Sequence, residues 1–332
     1  MHCDVEPQLQ RLLLFTHPSL CQSPHRNFRR PWQFTCKLIS MRVLLATDGS
    51  LEAGMAMRAA SRLFTRDDCE MHVMHVAAEP RLPKSGKLAK EQYQHRAAAE
   101  TRRILEEARQ ILTEEGSAAL TLSYTGSPAR VIMRESQDYE ITVIGAKGRD
   151  DRGEIGLGPV ASRLVEHGPR CVLVGREPPS DKQVRILVPV DGSGGSEQAL
   201  DALTAYFDLE SADITLLHVI EKIWLPSGEE EDPTDPESNQ TAQFLLELRR
   251  EAEQLLTQTR IRFLQHHSGV TTSIREGVPA NEILSEADQG DYDLVVVGST
   301  GASDMKHRVL GSVSSKIAWN APCSVLISRV QE

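Results

Sequence analysis

Hydrophobic and polar positions along the chain follow two alternating patterns. Short apolar runs of strand length, bounded by turn residues, are separated by longer stretches with the spacing of amphipathic helices. The apolar runs cover 42–47, 70–76, 119–124, 140–144 and 171–174, then 184–190, 213–219, 270–275, 293–297 and 324–328. The amphipathic stretches lie near 51–65, 88–115, 129–137 and 159–167, then near 194–208, 240–267, 280–288 and 312–320.

The apolar runs are typical of parallel strands. Runs such as LVVVG at 294–298 are almost continuously apolar, which is expected of strands that are covered on both faces. Together with the strand–helix alternation, they predict an α/β protein. We expect two tandem doubly wound, Rossmann-like domains, each a five-stranded parallel sheet with helices on both faces.

The second half of the chain repeats the first. The segment RVLLATDGS at 42–50 resembles RILVPVDGS at 185–193, and GSPA at 126–129 resembles GVPA at 277–280. Because further matches follow in the same order, the pattern indicates a tandem duplication. We predict domains at 41–176 and 184–330, with the charged, proline-containing stretch 177–183 as the linker.

The first forty residues differ from the rest. Residues 1–40 are rich in arginine and poor in acids, and they show neither helical nor strand periodicity. We expect a disordered tail or an upstream extension of the true start, because Met41 opens directly into the first apolar run. An organelle transit peptide is the alternative.

Composition narrows the classes of function. The chain has 37 Lys and Arg against 47 Asp and Glu, a net charge of -10, and only 5% aromatic residues. This balance argues against binding to nucleic acid or to anionic membranes, and no apolar run approaches the ~20 residues that span a bilayer. Six cysteines without a C-x-x-C pair argue against a disulfide scaffold or a zinc site and predict a cytoplasmic protein, with Cys171 and Cys323 in the core.

A spaced set of glycines supplies the candidate chemistry. After the fourth apolar run of the second half comes Gly298-Ser-Thr-Gly301, then nine residues, then Gly311-Ser312 at the start of a predicted helix. Glycines let a backbone approach a ligand closely, and the N–H groups of a helix's first turn favour phosphate. In doubly wound folds, ligands bind at the carboxyl ends of the strands. The constellation therefore suits a polyphosphate.

This spacing, G-x2-G-x9-G-[S/T] with an aspartate after the first strand, resembles the nucleotide-binding signature of the universal stress protein family. The resemblance covers about residues 41–330 and implies an ATP-binding stress protein, with ATP or ADP as ligand, with or without Mg²⁺. It implies no broad catalytic role; slow ATP hydrolysis stays open, and we assign no catalytic residue or metal ligand. It also implies pairing of domains through the edge strands 172–174 and 325–328, within one chain as a pseudo-dimer or between two chains as a homodimer.

The resemblance also implies site residues in the second half. The nucleoside would be faced by Pro189, Val190 and Asp191, and adenine would be contacted by Val219. The ribose would be bordered by Val297 and Gly298. The phosphates would be surrounded by Thr300, Gly301, Gly311, Ser312, Val313 and Ser314. Asp191 has an equal alternative as a cap of the turn and of the following helix.

The first half keeps the glycine spacing but loses the hydroxyls. Pro159 and Ala161 stand where the second half has Ser312 and Ser314, and proline also lacks a backbone N–H. Its loop 149–157 has a formal charge of -1, against +1 for 302–310, and a polyanion prefers the second loop. We predict that the second domain binds ATP and that the first binds weakly or not at all. The weaker site comprises Thr47, Asp48, Val76, Gly145, Lys147, Gly148 and Gly158.

Two other functions remain open. The chain could be a nucleotide-independent scaffold that pairs with itself or with a client. Alternatively, SGGSE at 193–197 resembles the SGGxDS loop of ATP pyrophosphatases, although Glu197 and Gln198 stand where that motif has Asp and Ser. His75 and His218 occupy matching places in the two halves, which suggests a fold position.

Overall fold

The structure is a computed structural model that describes residues 41–79, 87–149, 156–168, 170–177, 183–210, 212–221, 236–264, 269–300 and 310–329. The expected N-terminal extension, 1–40, lies outside the described residues, as does most of the expected linker, 178–182. Within the described part of the chain, strands and helices alternate as the hydrophobic pattern predicts.

The strands of the first half are β1 Met41–Thr47, β2 Cys69–Ala77, β3 Ala119–Thr125, β4 Ile141–Gly145 and β5 Cys171–Gly175. Those of the second half are β6 Val184–Pro189, β7 Ala212–Glu221, β8 Val270–Gly277, β9 Leu294–Gly298 and β10 Ser324–Ser328. The helices are α1 Leu51–Leu63, α2 Lys87–Glu114, α3 Pro128–Glu135, α4 Pro159–His167, α5 Gly194–Tyr206, α6 Pro236–Leu264, α7 Pro279–Gln289 and α8 Ser312–Asn320.

The two predicted sheets are joined into one. The strand order is β3-β2-β1-β4-β5-β10-β9-β6-β7-β8, so each half is a parallel five-stranded sheet and the two meet at β5 and β10. These two strands pair antiparallel, with Leu173 opposite Leu326 and Val172 opposite Ile327. The edge-strand pairing that the resemblance implied is thus made within one chain, and it closes both inner edges of the sheet.

The core lies in two layers, one on each face of the sheet. Successive residues of β1 point to opposite faces, so Leu45 joins one layer and Leu44 the other. The first layer packs against α1, α2, α5 and α6, and the second against α3, α4, α7 and α8. Both layers run through the two halves without a break. Phe64 and Phe207, at matching places after α1 and α5, meet at a ring-centroid distance of 5.2 Å.

Local sequence explains where several helices begin. The hydroxyls of Ser50 and Ser193 accept hydrogen bonds from the first turns of α1 and α5, which is the usual role of an N-cap serine. Proline opens α3, α4 and α7, because the first helical position has no need of a backbone N–H.

The predicted boundaries agree with the structure to within a few residues. The largest shift is in α6, which begins at Pro236 rather than near 240. The stretch 129–137 divides into α3 and a separate 3₁₀ turn, Ser136–Asp138. Cys171 and Cys323 are buried, as expected. No helix in the described part of the chain combines the length and the apolar character needed to cross a membrane.

Candidate nucleotide site

The turn after the first strand of each half has the same geometry. Gly49 and Gly192 both have φ of +74°, a conformation that glycine adopts without strain. Oδ1 of Asp48 accepts the N–H of Ser50 at 2.9 Å, and Oδ1 of Asp191 accepts the N–H of Ser193 at 2.9 Å. The alternative role for Asp191, holding the turn together, is therefore present in the structure.

A histidine fixes this turn in each half. Nδ1 of His75 lies 2.8 Å from the carbonyl oxygen of Thr47, and Nδ1 of His218 lies 2.7 Å from that of Val190. Because a carbonyl can only accept, the proton is on Nδ1 in both rings. The repeated histidine is thus a fold position that anchors the backbone of Thr47 or Val190 at the mouth of the site.

Two glycines allow α5 to approach the end of β9 closely. A Cβ atom on Gly195 would lie 1.7 Å from the carbonyl oxygen of Thr300, and one on Gly298 would lie 2.1 Å from that of Gly195. The second glycine of the SGGSE segment is therefore explained by packing. Its place beside Thr300 also brings α5 against the residues expected to surround a phosphate.

The start of α8 is held against the end of β9. The N–H of Gly311 donates to the carbonyl of Ser299 at 2.8 Å, and the hydroxyl of Ser314 donates to the carbonyl of Gly298 at 2.6 Å. Ser314, expected beside the phosphates, is buried, and its hydroxyl positions the end of β9. Ser312 is exposed at the first helical position, and Val313 is partly buried.

The first turn of α8 has no side-chain cap. Its N-cap residue is Gly311, and neither a capping side chain nor an acidic residue occupies the turn. By contrast, serines cap α1 and α5. Among the described residues, no side chain competes for the N–H groups at the start of α8, which would favour an anion there.

The remaining expected residues of the second half fall into two groups. Pro189 and Val219 are partly buried at the ends of β6 and β7. Val297 is 5% exposed and packs in one layer of the core, and Val190 is 2% exposed and packs in the other. Gly301 and nearly all of the basic loop 302–310 lie outside the described residues.

The corresponding region of the first half is a cavity of about 450 Å³. That volume is within the range of small-molecule sites. All seven residues of the expected weaker site belong to this region, and sequence reasoning missed Pro128 and Ile132 in its wall. The repeated G-x-P-A segment was the signal that could have found them, because it starts the helix beside this edge of the sheet.

Arg149 occupies part of this first-half site. Its N–H donates to Oδ2 of Asp48 at 2.8 Å, and its guanidinium contacts Glu100 at 2.8 Å. That guanidinium also lies against the turn, since a Cβ atom on Gly49 would be 2.6 Å from Nη2 of Arg149. Hydrogen bonds from Arg103 and Arg149 lower the pKa of Glu100 to about 2, so this ion pair holds at neutral pH.

Electrostatics around Asp48 favour its charged form. Burial opposes ionisation, but the hydrogen bonds from Ser50 and from the N–H of Arg149 outweigh it, so the pKa of Asp48 lies below its ordinary value. Both carboxylate oxygens of Asp48 already accept hydrogen bonds from the chain. A ligand hydroxyl would have to compete with the Arg149 N–H for one of them.

Comparison with known proteins decides the family. The model of the universal stress protein family matches residues 40–176 and, a second time, residues 184–329. The chain belongs to the universal stress protein family. A universal stress protein of Mycolicibacterium smegmatis is 28% identical over 303 residues, which cover 86% of this chain and 96% of that protein.

Solved universal stress proteins agree with the fold. One from Archaeoglobus fulgidus covers 87% of this chain and 98% of its own, with a TM-score of 0.60 and 21% identity. One from Arabidopsis thaliana, solved with AMP bound, covers 45% of this chain and 92% of its own, with a TM-score of 0.33 and 18% identity. The Archaeoglobus fulgidus structure, together with the two matches to the family model, confirms the tandem Rossmann-like architecture predicted from the sequence.

Proposed function

We propose that this universal stress protein binds one ATP per chain, as its Mg²⁺ complex, in the second domain, 184–330. The first domain, 41–176, would keep a degenerate site that binds ATP weakly. The observation that carries the proposal is the start of α8, where Gly311 and Ser312 present an uncapped helix terminus beside the ends of β6 and β9.

Different residues of the second domain would contact different parts of the nucleotide. Close packing of Gly195 against Thr300 leaves backbone rather than side chains at the phosphate end. The Ser312 hydroxyl and the first N–H groups of α8 would donate to phosphate oxygens. The backbone of Val190, fixed by His218, and the end of β7 at Val219 would contact the nucleoside. When bound, ATP supplies the negative charge that this helix terminus favours.

The first domain differs where the phosphates would lie. Pro159 removes one N–H and one hydroxyl from the corresponding helix start, and Ala161 cannot make the bond that Ser314 makes. Arg149 additionally rests on the Asp48 turn. These differences support weak binding, although the cavity itself is open enough for a nucleoside.

The role we propose is regulatory or protective, in the cytoplasm, with nucleotide occupancy shifting a conformational or oligomeric equilibrium. Such a shift requires that ATP bind one state more tightly than the other. We assign no catalytic residue. ATP pyrophosphatase activity is disfavoured because Gly195, the second glycine of that resemblance, has a packing role.

The test is to release and identify the nucleotide that co-purifies with the full-length chain. Gly311→Val and Gly158→Val form a matched pair, because both glycines precede a helix with an ordinary φ, -61° and -71°. We expect about one ATP or ADP per chain in the wild type and in Gly158→Val, and little in Gly311→Val. Absence of nucleotide, with no binding of added ATP and Mg²⁺, would favour the nucleotide-independent scaffold.

A further inference from the structure

Two arginines cross between the domains at matching positions. Arg176, just after β5, donates from Nη2 to the carbonyl of Ala318 at 2.7 Å and from Nη1 to the carbonyl of Cys323 at 3.1 Å. Arg329, just after β10, donates from Nη2 to the carbonyl of Val165. Val165 and Ala318 occupy the same place in the last turns of α4 and α8.

Each arginine therefore holds a helix of the other domain by its C-terminal end. The last carbonyls of a helix lack intrahelical donors and carry the negative end of the helix dipole, so a guanidinium satisfies both needs. Burial lowers the pKa of Arg329 to about 10, which still leaves it charged at neutral pH. The two interactions are reciprocal because Arg176 follows β5 and Arg329 follows β10, and these two strands pair with each other at the centre of the sheet.

The helices held in this way are the ones whose other ends reach the nucleotide sites. α8 begins at Ser312, in the proposed ATP site, and α4 begins at Pro159, which lines the first-domain cavity. Each is nine residues long, and at about 1.5 Å per residue it spans roughly 14 Å. A short, rigid helix thus joins each site to the opposite domain.

A second contact joins α8 to the segment that precedes the first-domain cavity. The ring of Trp319, in the last turn of α8, lies against Gly156, and a Cβ atom on Gly156 would be only 2.7 Å from Cε3. Gly156 has φ of +114° and lies two residues before Gly158, which lines the cavity. Because Gly156 has no side chain between its backbone and the Trp319 ring, a movement of the ring toward Gly156 must displace the Gly156 backbone.

We propose that the two sites are coupled through α8, so that ATP bound at Ser312 stabilises the segment 156–162, which includes the first turn of α4 beside the first-domain cavity. This inference rests on the proposed function, because it needs ATP at the second domain. The contact between the Trp319 ring and the Gly156 backbone transmits the coupling. Arg176 holds the C-terminal end of α8, where Trp319 lies. By linkage, a ligand in the first-domain cavity that orders the same segment would raise ATP affinity in the second domain.

Hydrogen exchange of the full-length chain, with and without ATP and Mg²⁺, tests the coupling. Exchange at 311–315 reports occupancy of the second site, and exchange at 156–162 reports the first. We expect ATP to slow exchange in both segments of the wild type, by about fivefold at 156–162, the lower end of typical allosteric coupling. In Trp319→Ala the effect at 311–315 should remain and that at 156–162 should disappear.

Two controls separate the explanations. Lys316→Ala removes a side chain of α8 that contacts Asn281 within the second domain. This variant should retain the ATP-dependent slowing of exchange at both 311–315 and 156–162. Gly311→Val, the variant expected to abolish ATP binding in the second domain, leaves the first domain unchanged, so protection of 156–162 that persists in it would come from direct binding to the first domain. Trp319→Leu, which keeps an apolar side chain, should weaken the ATP-dependent slowing of exchange at 156–162. It replaces Trp319→Ala in the test if that variant unfolds.

The outcomes distinguish the inference from the proposed function. Protection at 311–315 without protection at 156–162 in the wild type would overturn the coupling and leave ATP binding intact. Protection at 156–162 that survives Trp319→Ala, or that survives Gly311→Val, would overturn it as well. Absence of protection in both segments would overturn ATP binding itself and, with it, the coupling.

Discussion

The hydroxyl of Ser314 donates a hydrogen bond to the backbone carbonyl of Gly298 at 2.6 Å. This bond fastens the first turn of α8 to the end of β9, the two elements between which the phosphates are proposed to lie. The first half has Ala161 at the corresponding place and cannot make it. One hydroxyl therefore distinguishes how the two helices α4 and α8 are fastened to the sheet.

Ser314→Ala should lower both stability and nucleotide affinity. Because Ser314 is buried, the variant leaves the Gly298 carbonyl without this donor, and we expect the free energy of unfolding to fall by about 1 kcal/mol. Denaturant unfolding measures the change. The converse variant, Ala161→Ser, should be neutral or stabilising. Equal stability of Ser314→Ala and the wild type would show that the bond contributes nothing.

Exchanging the first residues of α4 and α8 should exchange the affinities of the two sites. Ser312→Pro removes an N–H and a hydroxyl, and the extended backbone of Gly311 accepts a following proline. Since a hydrogen bond to a charged group contributes about 1.5–3 kcal/mol, we expect ATP to bind at least about tenfold more weakly.

The matched variants are Ser312→Ala, which keeps the N–H and should lose less affinity, and Pro159→Ser, which should strengthen binding in the first domain. Calorimetric titration of each variant gives the affinities. Unchanged ATP affinity in Ser312→Pro would remove Ser312 from the site.

Neighbouring glycines at the start of α5 should respond in opposite ways to alanine. Gly194 has open space around it, so Gly194→Ala should leave the free energy of unfolding unchanged or raise it by up to about 1 kcal/mol. Gly195→Ala would place Cβ against the Thr300 carbonyl and should cost about 1–3 kcal/mol. Thermal unfolding of the two variants measures these changes in stability. Tolerance of Gly195→Ala without loss of stability would show that α5 can move away from Thr300.

Acid should weaken the first-domain turn in a defined window of pH. The pKa of Asp48 is lower in the folded chain than its ordinary value near 3.8, so its contribution to stability is full above that value. The contribution is lost as pH falls through the folded pKa. The difference in unfolding free energy between the wild type and Asp48→Asn should therefore be constant above about pH 5 and shrink below about pH 3.8. A difference that grows on acidification would contradict this assignment.

Sequence patterns predicted the elements well because the central strands β1, β4, β5, β9 and β10 are buried on both faces. Continuous runs such as VLLA in β1 and LVVV in β9 have no other stable place than the centre of a parallel sheet. The edge pairing was implied only by the family resemblance, and whether it formed within or between chains was open. Spacing along the chain does not specify which copy of β10 meets β5.

Site residues were predicted less completely, for a physical reason. Glycine spacing indicates where backbone must approach a ligand, and it located both helix starts. The Arg149–Glu100 ion pair joins a loop to α2 across 49 positions, and no local pattern marks such a contact. Likewise, the inward turn of the Ser314 hydroxyl depends on the packing of α8 against β9, which the sequence alone does not determine.

The central claim, one nucleotide site per chain in the second domain, is tested most directly by calorimetric titration of the nucleotide-free chain with ATP and Mg²⁺. We predict one tight site per chain, retained in Gly158→Val and lost in Gly311→Val. Two equal tight sites, or a site lost in Gly158→Val and kept in Gly311→Val, would contradict the account.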